Sequence, residues 1–205
     1  ADGQCDLLAL RVCYSENSTE VEGILRQVKE RGVRGVNLEV VTIDGDKGLE
    51  SAVYAVYGHV RVQDCIFHRI NRIYRNATGK VRAKRMMTEA SEAFKDPSPR
   101  SRRKKLDYFI DRWREKEPEA IDKFEARLDR CFEADALPPA ARSRCTTSGL
   151  CEGLFKQLRR RIKQIGPFET PQAVELYIFA IVCQKKWIIL PGRKPAAPLL
   201  SEFTH

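Results

Sequence analysis

Residues 38–67 read LEVVTIDGDKGLESAVYAVYGHVRVQDCIF, and this stretch decides the fold. The β-branched run over 38–43 predicts a buried strand that ends at the Asp44-Gly45 turn. A helical pattern over about 47–57 follows, and the apolar run over 60–67 predicts another strand. A strand, a helix and a second strand in this order predict an α/β fold with a mostly parallel sheet and helices packed on it.

The flanking segments extend this pattern and then change its character. Residues 6–13 (DLLALRVC) predict a further strand, and apolar residues recur at helical spacing over 21–32. After about residue 70 no β-rich run occurs, and the apolar residues follow helical periodicity. The predicted organisation is therefore an α/β core over 1–75, an all-helical insertion over 76–141, C-terminal core helices over 142–190 and a disordered tail over 191–205.

One basic segment inside the predicted insertion is ambiguous. Residues 95–105 read KDPSPRSRRKK, a charge run interrupted by Pro and Ser. Such a run predicts an exposed, mobile loop, and a specific DNA contact is the alternative.

The composition points to a polyanionic partner. Lys and Arg number 37 against 28 Asp and Glu, a formal net charge of +9, which favours nucleic acid over an acidic membrane surface. The 7 cysteines show no regular spacing and no signal-like segment precedes them, which favours a reducing cytoplasm over a secreted disulfide framework. The longest apolar stretch, 176–183, is far shorter than the roughly 20 residues that cross a bilayer.

Two carboxylates are the candidate catalytic residues. Asp44 follows a predicted buried strand, at the sheet edge where α/β folds expose functional side chains. Glu152 lies near the start of a predicted helix, off its apolar stripe. Together they could coordinate Mg²⁺ for phosphoryl transfer. The alternatives are a turn residue for Asp44 and, for Glu152, an exposed carboxylate paired with Lys156 one helical turn later.

Two further patterns accompany these carboxylates. A basic ridge follows Glu152 on the same helix and could hold a phosphate backbone, or could be only a solvated helix face. It comprises Arg159, Arg160, Arg161 and Lys163. Cys65-x-x-His68 invites a zinc interpretation, but Cys145 and Cys151 lack zinc-like spacing to it. The alternative is a buried cysteine and a histidine that packs near the carboxylates.

Five local patterns carry a family resemblance. They are Ser15-Glu16-Asn17 with LRQVKERGV, IDGDKGL over 43–49, QDCIFH over 63–68, TSGLCE over 147–152 followed by LFKQLRRR, and a Gly-Pro-Phe turn followed by a last helix ending at Trp187. Their order, with a helical insertion between His68 and Glu152, resembles the mutator-type DDE transposases of prokaryotic insertion sequences. The resemblance spans nearly the whole chain.

The resemblance implies a ribonuclease-H-like catalytic core with an all-helical insertion. It implies Asp44 and Glu152 as metal ligands, His68 in a supporting role, and Mg²⁺ or Mn²⁺ in a two-metal site. The two carboxylates are then expected within about 10 Å of each other. The implied partners are transposon ends and target DNA, with homo-oligomers in the intact protein and a cytoplasmic, nucleoid-associated location.

The sequence departs from the family pattern at three points. Asp46 stands where the family has His, and Gly149 where it has Asn. The resemblance also leads us to expect that the opening strand with the first aspartate is missing, with residues 6–13 as the second half of the next hairpin. We therefore expect an incomplete core and an inactive fragment. The alternative is a catalytically dead DNA-binding or oligomerisation remnant; another ribonuclease-H-like nuclease, such as a resolvase, fits the long insertion less well.

Overall fold

The computed structural model describes residues 7–12, 17–36 and 38–184, which form an α/β fold dominated by helices. The elements in chain order are α1 (Ser18–Glu30), β1 (Val40–Ile43), α2 (Lys47–Tyr57), β2 (Arg61–Asp64), α3 (Ile66–Asn76), α4 (Lys80–Phe94), α5 (Pro99–Arg114), α6 (Pro118–Glu125), a 3₁₀ helix (Leu128–Ala136), α7 (Pro139–Cys145), α8 (Gly149–Ile165) and α9 (Pro171–Gln184).

The two strands of the described sheet are parallel, as predicted. Val40 pairs with Arg61 and Ile43 with Asp64, so both strands end at the same edge. Helix α2 connects them, and α1 packs on α2. The buried side chains of Ile43, Val53 and Val62 form the core of this part. The strand–helix–strand prediction over 38–67 is therefore confirmed, with one change at its end.

Two strand predictions need correction. The predicted strand over 60–67 ends at Asp64, because α3 begins at Ile66 and Cys65 is its N-cap residue. Residues 7–12, within the predicted strand 6–13, adopt no strand conformation. A strand needs a hydrogen-bonded neighbour, and β1 pairs only with β2 in the described sheet.

The predicted loop over 95–105 is wrong for most of its length, because α5 begins at Pro99. Ser98 Oγ accepts a hydrogen bond from Ser101 N, and Pro99 occupies the first turn, where it needs no donor. Arg102 is buried and pairs with Asp135 at 2.8 Å. Pro and Ser, which read as loop residues, here cap and start a helix.

The described residues between 76 and 145 contain helices and no strand, which confirms the helical prediction for this interval. Helices α3 to α6 and the 3₁₀ helix share one apolar core. Its aromatic residues pack edge to face: the ring centroids of Phe109 and Phe124 are 5.3 Å apart. The role of this interval as an insertion stays a prediction.

The chain divides into two compact units, residues 16–154 and residues 1–15 with 155–205. In the smaller unit, α9 buries Ile178, Ile181 and Val182. Throughout the described ranges, each helix is either too short or too polar to cross a bilayer. The predicted tail over 191–205, the turn at Asp2-Gly3 and the helix end at Trp187 lie outside the described residues.

Candidate active site at the sheet edge

The turn after β1 presents Asp44 to solvent. Asp44 is exposed, and its Oδ1 accepts a hydrogen bond from Asp46 N at 3.0 Å. Gly45 has φ of +89°, a backbone conformation that favours glycine. The turn therefore fixes the Asp44 carboxylate just beyond the end of the strand.

Asp46 is the N-cap of α2. Its Oδ1 accepts hydrogen bonds from Gly48 N at 2.7 Å and Leu49 N at 3.0 Å. A carboxylate in this place satisfies backbone donors that the first helical turn leaves unpaired. Asp46, which stands where the resembled family has His, is thus hydrogen-bonded to the backbone at the start of α2.

Asp64, the last residue of β2, lies close to two arginine side chains. Asp64 is buried, and its Oδ2 accepts from Arg69 Nη2 at 2.5 Å, while Arg127 lies 3.6 Å from its Oδ1. Arg69 Nη1 also donates to the carbonyl of Ala126. Asp64 therefore holds α3 and the end of α6 against the strand, and its oxygens are not open to a ligand.

The segment before α8 is attached to the same sheet edge. Thr42 Oγ1 donates to the carbonyl of Cys145 at 2.6 Å, and Ile66 N donates to the carbonyl of Thr146 at 3.0 Å. These two bonds join residues about eighty or more positions apart in the sequence. They bring the first turn of α8, which carries Glu152, to the ends of the strands.

Four side chains converge at that point. Ser148 Oγ lies 2.8 Å from Glu152 Oε1, 3.2 Å from Cys65 Sγ and 3.4 Å from His68 Nδ1. His68 Nδ1 and Glu152 Oε1 are 3.6 Å apart, and both side chains are partly exposed. The predicted proximity of His68 to a carboxylate is thus present in the structure. Glu152 makes no ion pair with Lys156 among the described residues, contrary to the alternative considered above.

Asp44 and Glu152 approach the same edge from different elements. Cys65 N donates to the carbonyl of Ile43 at 2.7 Å, so the cysteine lies next to the strand end from which Asp44 projects. Cys65 in turn contacts Ser148, one helical turn before Glu152. These contacts link the turn of Asp44 and the first turn of α8, and both the metal-binding role of the two carboxylates and their expected separation stay predictions.

The predicted basic ridge lies on α8, after Glu152 along the helix. Arg159, Arg160 and Lys163 are exposed, whereas Arg161 is half-buried. Lys156 is also exposed, and spacings of three and four residues place it on the face of Arg159 and Arg160. The exposed basic face thus contains Lys156, which the sequence interpretation treated only as a partner for Glu152.

Sequence reasoning also missed Ser148 and Arg72. Arg72 Nη2 donates to the carbonyl of Gly45 at 3.4 Å, which places a cation over the Asp44 turn. Burial and the nearby charge of Arg69 lower the pKa of Arg72, although a guanidinium keeps its charge at neutral pH. No local pattern marks Arg72, but Ser148 stands four residues before Glu152 at a helix start, which is a readable signal.

Comparison with known proteins gives a consistent family result. The family profile described as "Transposase, Mutator family" matches residues 1–189. The probable transposase for insertion sequence element of Corynebacterium diphtheriae is 27% identical over 183 residues, covering 89% of this chain and 52% of that protein. The transposase for insertion sequence element IS905 of Lactococcus lactis subsp. lactis (strain IL1403) is 25% identical, covering 88% and 45%.

A third relative matches this chain to a similar extent. The transposase for insertion sequence element ISRM3 of Rhizobium meliloti (strain 1021) is 26% identical over 188 residues, covering 89% of this chain and 45% of that protein. The chain therefore spans about half the length of the curated relatives it matches.

Proposed function

The chain belongs to the Mutator family of transposases, and from this membership we propose that it carries part of a site for metal-dependent cleavage and strand transfer of insertion-sequence DNA. In this proposal Asp44 and Glu152 are metal ligands on a ribonuclease-H-like core, and His68 supports Glu152. The observation that carries it is the attachment of the segment just before α8 to Thr42 of β1 and to Ile66, which follows β2.

The donor groups suit the proposed metal. Asp44 and Glu152 offer carboxylate oxygens, which are the hard ligands that Mg²⁺ and Mn²⁺ take. Asp44 is exposed and Glu152 is partly exposed, so both can be reached by an ion that keeps several waters. When bound, such a metal lowers the pKa of a coordinated water or hydroxyl and neutralises charge on the phosphate.

The chain's own residues position the reacting groups. The Asp46 N–H holds Oδ1 of Asp44, and the exposed carboxylate keeps its other oxygen for a ligand in this proposal. His68 and Ser148 both contact Oε1 of Glu152 and so orient its carboxylate. Arg72, bound to the Gly45 carbonyl, places a fixed positive charge near the turn, where a phosphate oxygen would be stabilised.

DNA binding is assigned to the exposed basic face of α8. Arg159, Arg160 and Lys163 can each contact a phosphate, and contacts of this kind carry affinity without sequence information. Lys156 extends the same face toward Glu152. Arg161, half-buried, contributes less to this surface than the sequence suggested.

The alternative function is a DNA-binding or oligomerisation module without catalysis. It is favoured by the pairing of Asp64 with Arg69, since Asp64 is then not available as a further metal ligand beside Asp44 and Glu152. Two metals commonly share a further carboxylate, so we expect the 205-residue chain alone to bind DNA without cutting it.

Salt-dependent binding of a labelled duplex tests the proposed surface. If roughly four phosphates are contacted, affinity should fall by about a hundredfold between 50 and 200 mM salt. A variant with Arg159, Arg160 and Lys163 all changed to Gln should bind weakly and show a smaller salt slope. The matched control changes Arg75, Lys84 and Lys123, which are exposed on other helices.

Equal losses of DNA affinity in the two triple variants would contradict the assignment of DNA binding to α8. The same reactions, supplied with Mg²⁺ or Mn²⁺, report on cleavage. Nicking by the 205-residue chain that disappears in Glu152→Ala would show that the metal centre is complete, and would exclude the purely binding alternative. Nicking that persists in that variant would remove Glu152 from the site.

A further inference from the structure

Three ligand atoms of different chemistry meet beside the carboxylate pair. Cys65 Sγ, His68 Nδ1 or Nε2, and a Glu152 carboxylate oxygen all lie within 4.8 Å of one another. They come from two helix starts, since Cys65 precedes α3, His68 lies in its first turn, and Glu152 lies in the first turn of α8. The sequence pattern supplied only the first two of these residues.

The cluster contains several hydrogen-bond acceptors and few donors. Cys65 Sγ, His68 Nδ1 and Glu152 Oε1 all lie within 3.5 Å of the Ser148 hydroxyl, which has a single proton to donate. The backbone N–H of Ser148 also points at the sulfur, at 3.2 Å. Among the described residues, neither Lys nor Arg pairs with Glu152. A site with these properties favours a cation.

We propose that Cys65, His68 and Glu152 form a binding site for a thiophilic divalent metal ion, with Zn²⁺ as the best-matched ion. A thiolate and a carboxylate balance the two charges of the ion, and a neutral imidazole completes the protein ligands. Sulfur and imidazole ligands select zinc-like ions, whereas Mg²⁺ takes oxygen ligands. Cys145 and Cys151, the partners considered from sequence, are not in the cluster.

The spacing of the ligand atoms is close to that of a zinc site. With bonds of about 2.0 to 2.3 Å in a tetrahedron, ligand atoms lie roughly 3.3 to 3.6 Å apart. His68 Nδ1 and Glu152 Oε1 already lie 3.6 Å apart. The remaining separations, up to 4.8 Å, need a contraction that partly exposed side chains can make by small rotations.

The site would be held firmly on one side and open on the other. Cys65 is fully buried and is fixed by its bond to the Ile43 carbonyl and by the Ser148 N–H. His68 and Glu152 keep 30% and 38% of their side chains exposed, which leaves a fourth position for water or a ligand oxygen. Three protein ligands and one open position are typical of zinc sites that are not purely structural.

A Zn²⁺ ion bound at this site would compete with the metal of the proposed reaction, and this consequence rests on the proposed function. Glu152 is assigned to both sites, so a Zn²⁺ ion on Cys65 and His68 would remove Glu152 from a shared site with Asp44. The thiophilic site itself needs neither DNA nor catalysis, so it can be tested separately.

Titration of the metal-free chain with Co²⁺, a spectroscopic substitute for Zn²⁺, tests the site directly. We expect a sulfur-to-cobalt charge-transfer band, one ion per chain by native mass spectrometry, and displacement by Zn²⁺ but not by Mg²⁺. His68→Gln and Glu152→Gln change partly exposed side chains and should keep the fold by circular dichroism. Each should weaken metal binding by about tenfold or more, as ligand losses do.

Other cysteines provide matched controls. Cys65→Ser should remove the charge-transfer band, whereas Cys151→Ser, an exposed position on α8, should leave it unchanged. Cys131→Ser should also leave it unchanged, because burial raises the pKa of the Cys131 thiol to about 12 and keeps it protonated. A band whose cobalt midpoint is unchanged in both His68→Gln and Glu152→Gln, or that is lost in Cys151→Ser, would overturn the proposal. Absence of DNA cleavage would leave it untouched.

Discussion

At the scale of single residues, Asp46 has a structural role that can be tested separately from metal binding. Its Oδ1 caps α2 through Gly48 N and Leu49 N, and loss of such a cap costs about 1 kcal/mol. We predict that Asp46→Ala lowers the free energy of unfolding by about this amount in urea and leaves metal binding at the sheet edge unchanged.

The control for this prediction is Asp107→Ala, on the exposed face of α5, which should leave the free energy of unfolding nearly unchanged. If Asp46→Ala kept full stability but weakened metal binding, Asp46 would be a ligand and not a cap.

Glu117 gives the fold a pH dependence. Burial raises the pKa of this carboxyl, but hydrogen bonds from Thr78 and Arg82 outweigh burial and bring the pKa below its usual 4.5. Because the pKa is lower in the folded state, the contribution to stability is complete above pH 4.5 and is lost as the pH falls through the folded-state pKa.

We predict that Glu117→Gln lowers the free energy of unfolding at pH 7 by roughly 1 to 3 kcal/mol, because donors that faced a charged acceptor lose it. The difference from the unchanged chain should shrink as the pH falls below 4.5. Urea midpoints across this range measure it, with the exposed Glu119→Gln as the control. A difference that is constant with pH would contradict the assigned charge state.

At the scale of elements, the buried pair of Asp64 and Arg69 joins β2 to the helical part. Arg69 donates to Asp64 and to the carbonyl of Ala126, which follows α6. Removing one member of a buried pair leaves the other charge without compensation. We predict that Arg69→Met lowers the free energy of unfolding by about 3 to 5 kcal/mol.

The double variant Asp64→Asn/Arg69→Met should recover part of that loss, since no charge is then left unpaired. Arg103→Met is the matched control, because the Arg103–Asp129 pair is exposed, and it should cost about 1 kcal/mol or less. Equal effects of the two single changes in thermal or urea unfolding would show that Asp64 is accessible to water.

The elements also show which structure the sequence could predict. Helix α2 and β1 were predictable because their signals are local: periodicity, a turn at Asp44-Gly45 and a glycine after Tyr57. The helix start at Pro99 was misread, because Ser-Pro is equally typical of a loop and of a capped first turn. A strand over 7–12 was wrong because strand formation depends on a partner, which local pattern does not reveal.

The candidate site, like the fold, was predictable only where its signals are local. The position of Asp44 after a strand and that of Glu152 at a helix start were predictable from local patterns, whereas their metal-binding role stays a prediction. The contact of Ser148 with Cys65 joins residues 83 positions apart, so no local pattern predicts it. The proposed ligand set of Cys65, His68 and Glu152 depends on that contact, which is why the sequence offered Cys145 and Cys151 instead.

At the scale of the whole molecule, charge and site lie on connected elements. The net charge of +9 is general, but α8 carries both Glu152 and the exposed Arg159, Arg160 and Lys163. Under the proposed function, α8 would supply a metal ligand from its first turn and phosphate contacts from its exposed basic residues.

The central claim is that the sheet edge binds a hard metal between Asp44 and Glu152, and metal-directed cleavage of the protein backbone tests it most directly. Fe²⁺ bound in place of Mg²⁺, with ascorbate and peroxide, cuts peptide bonds near its ligands. The account predicts cuts beside Asp44 and beside Glu152 that excess Mg²⁺ suppresses, that Asp44→Asn abolishes and that Asp46→Ala retains. Cuts that map elsewhere, or that persist unchanged in Asp44→Asn, would contradict it.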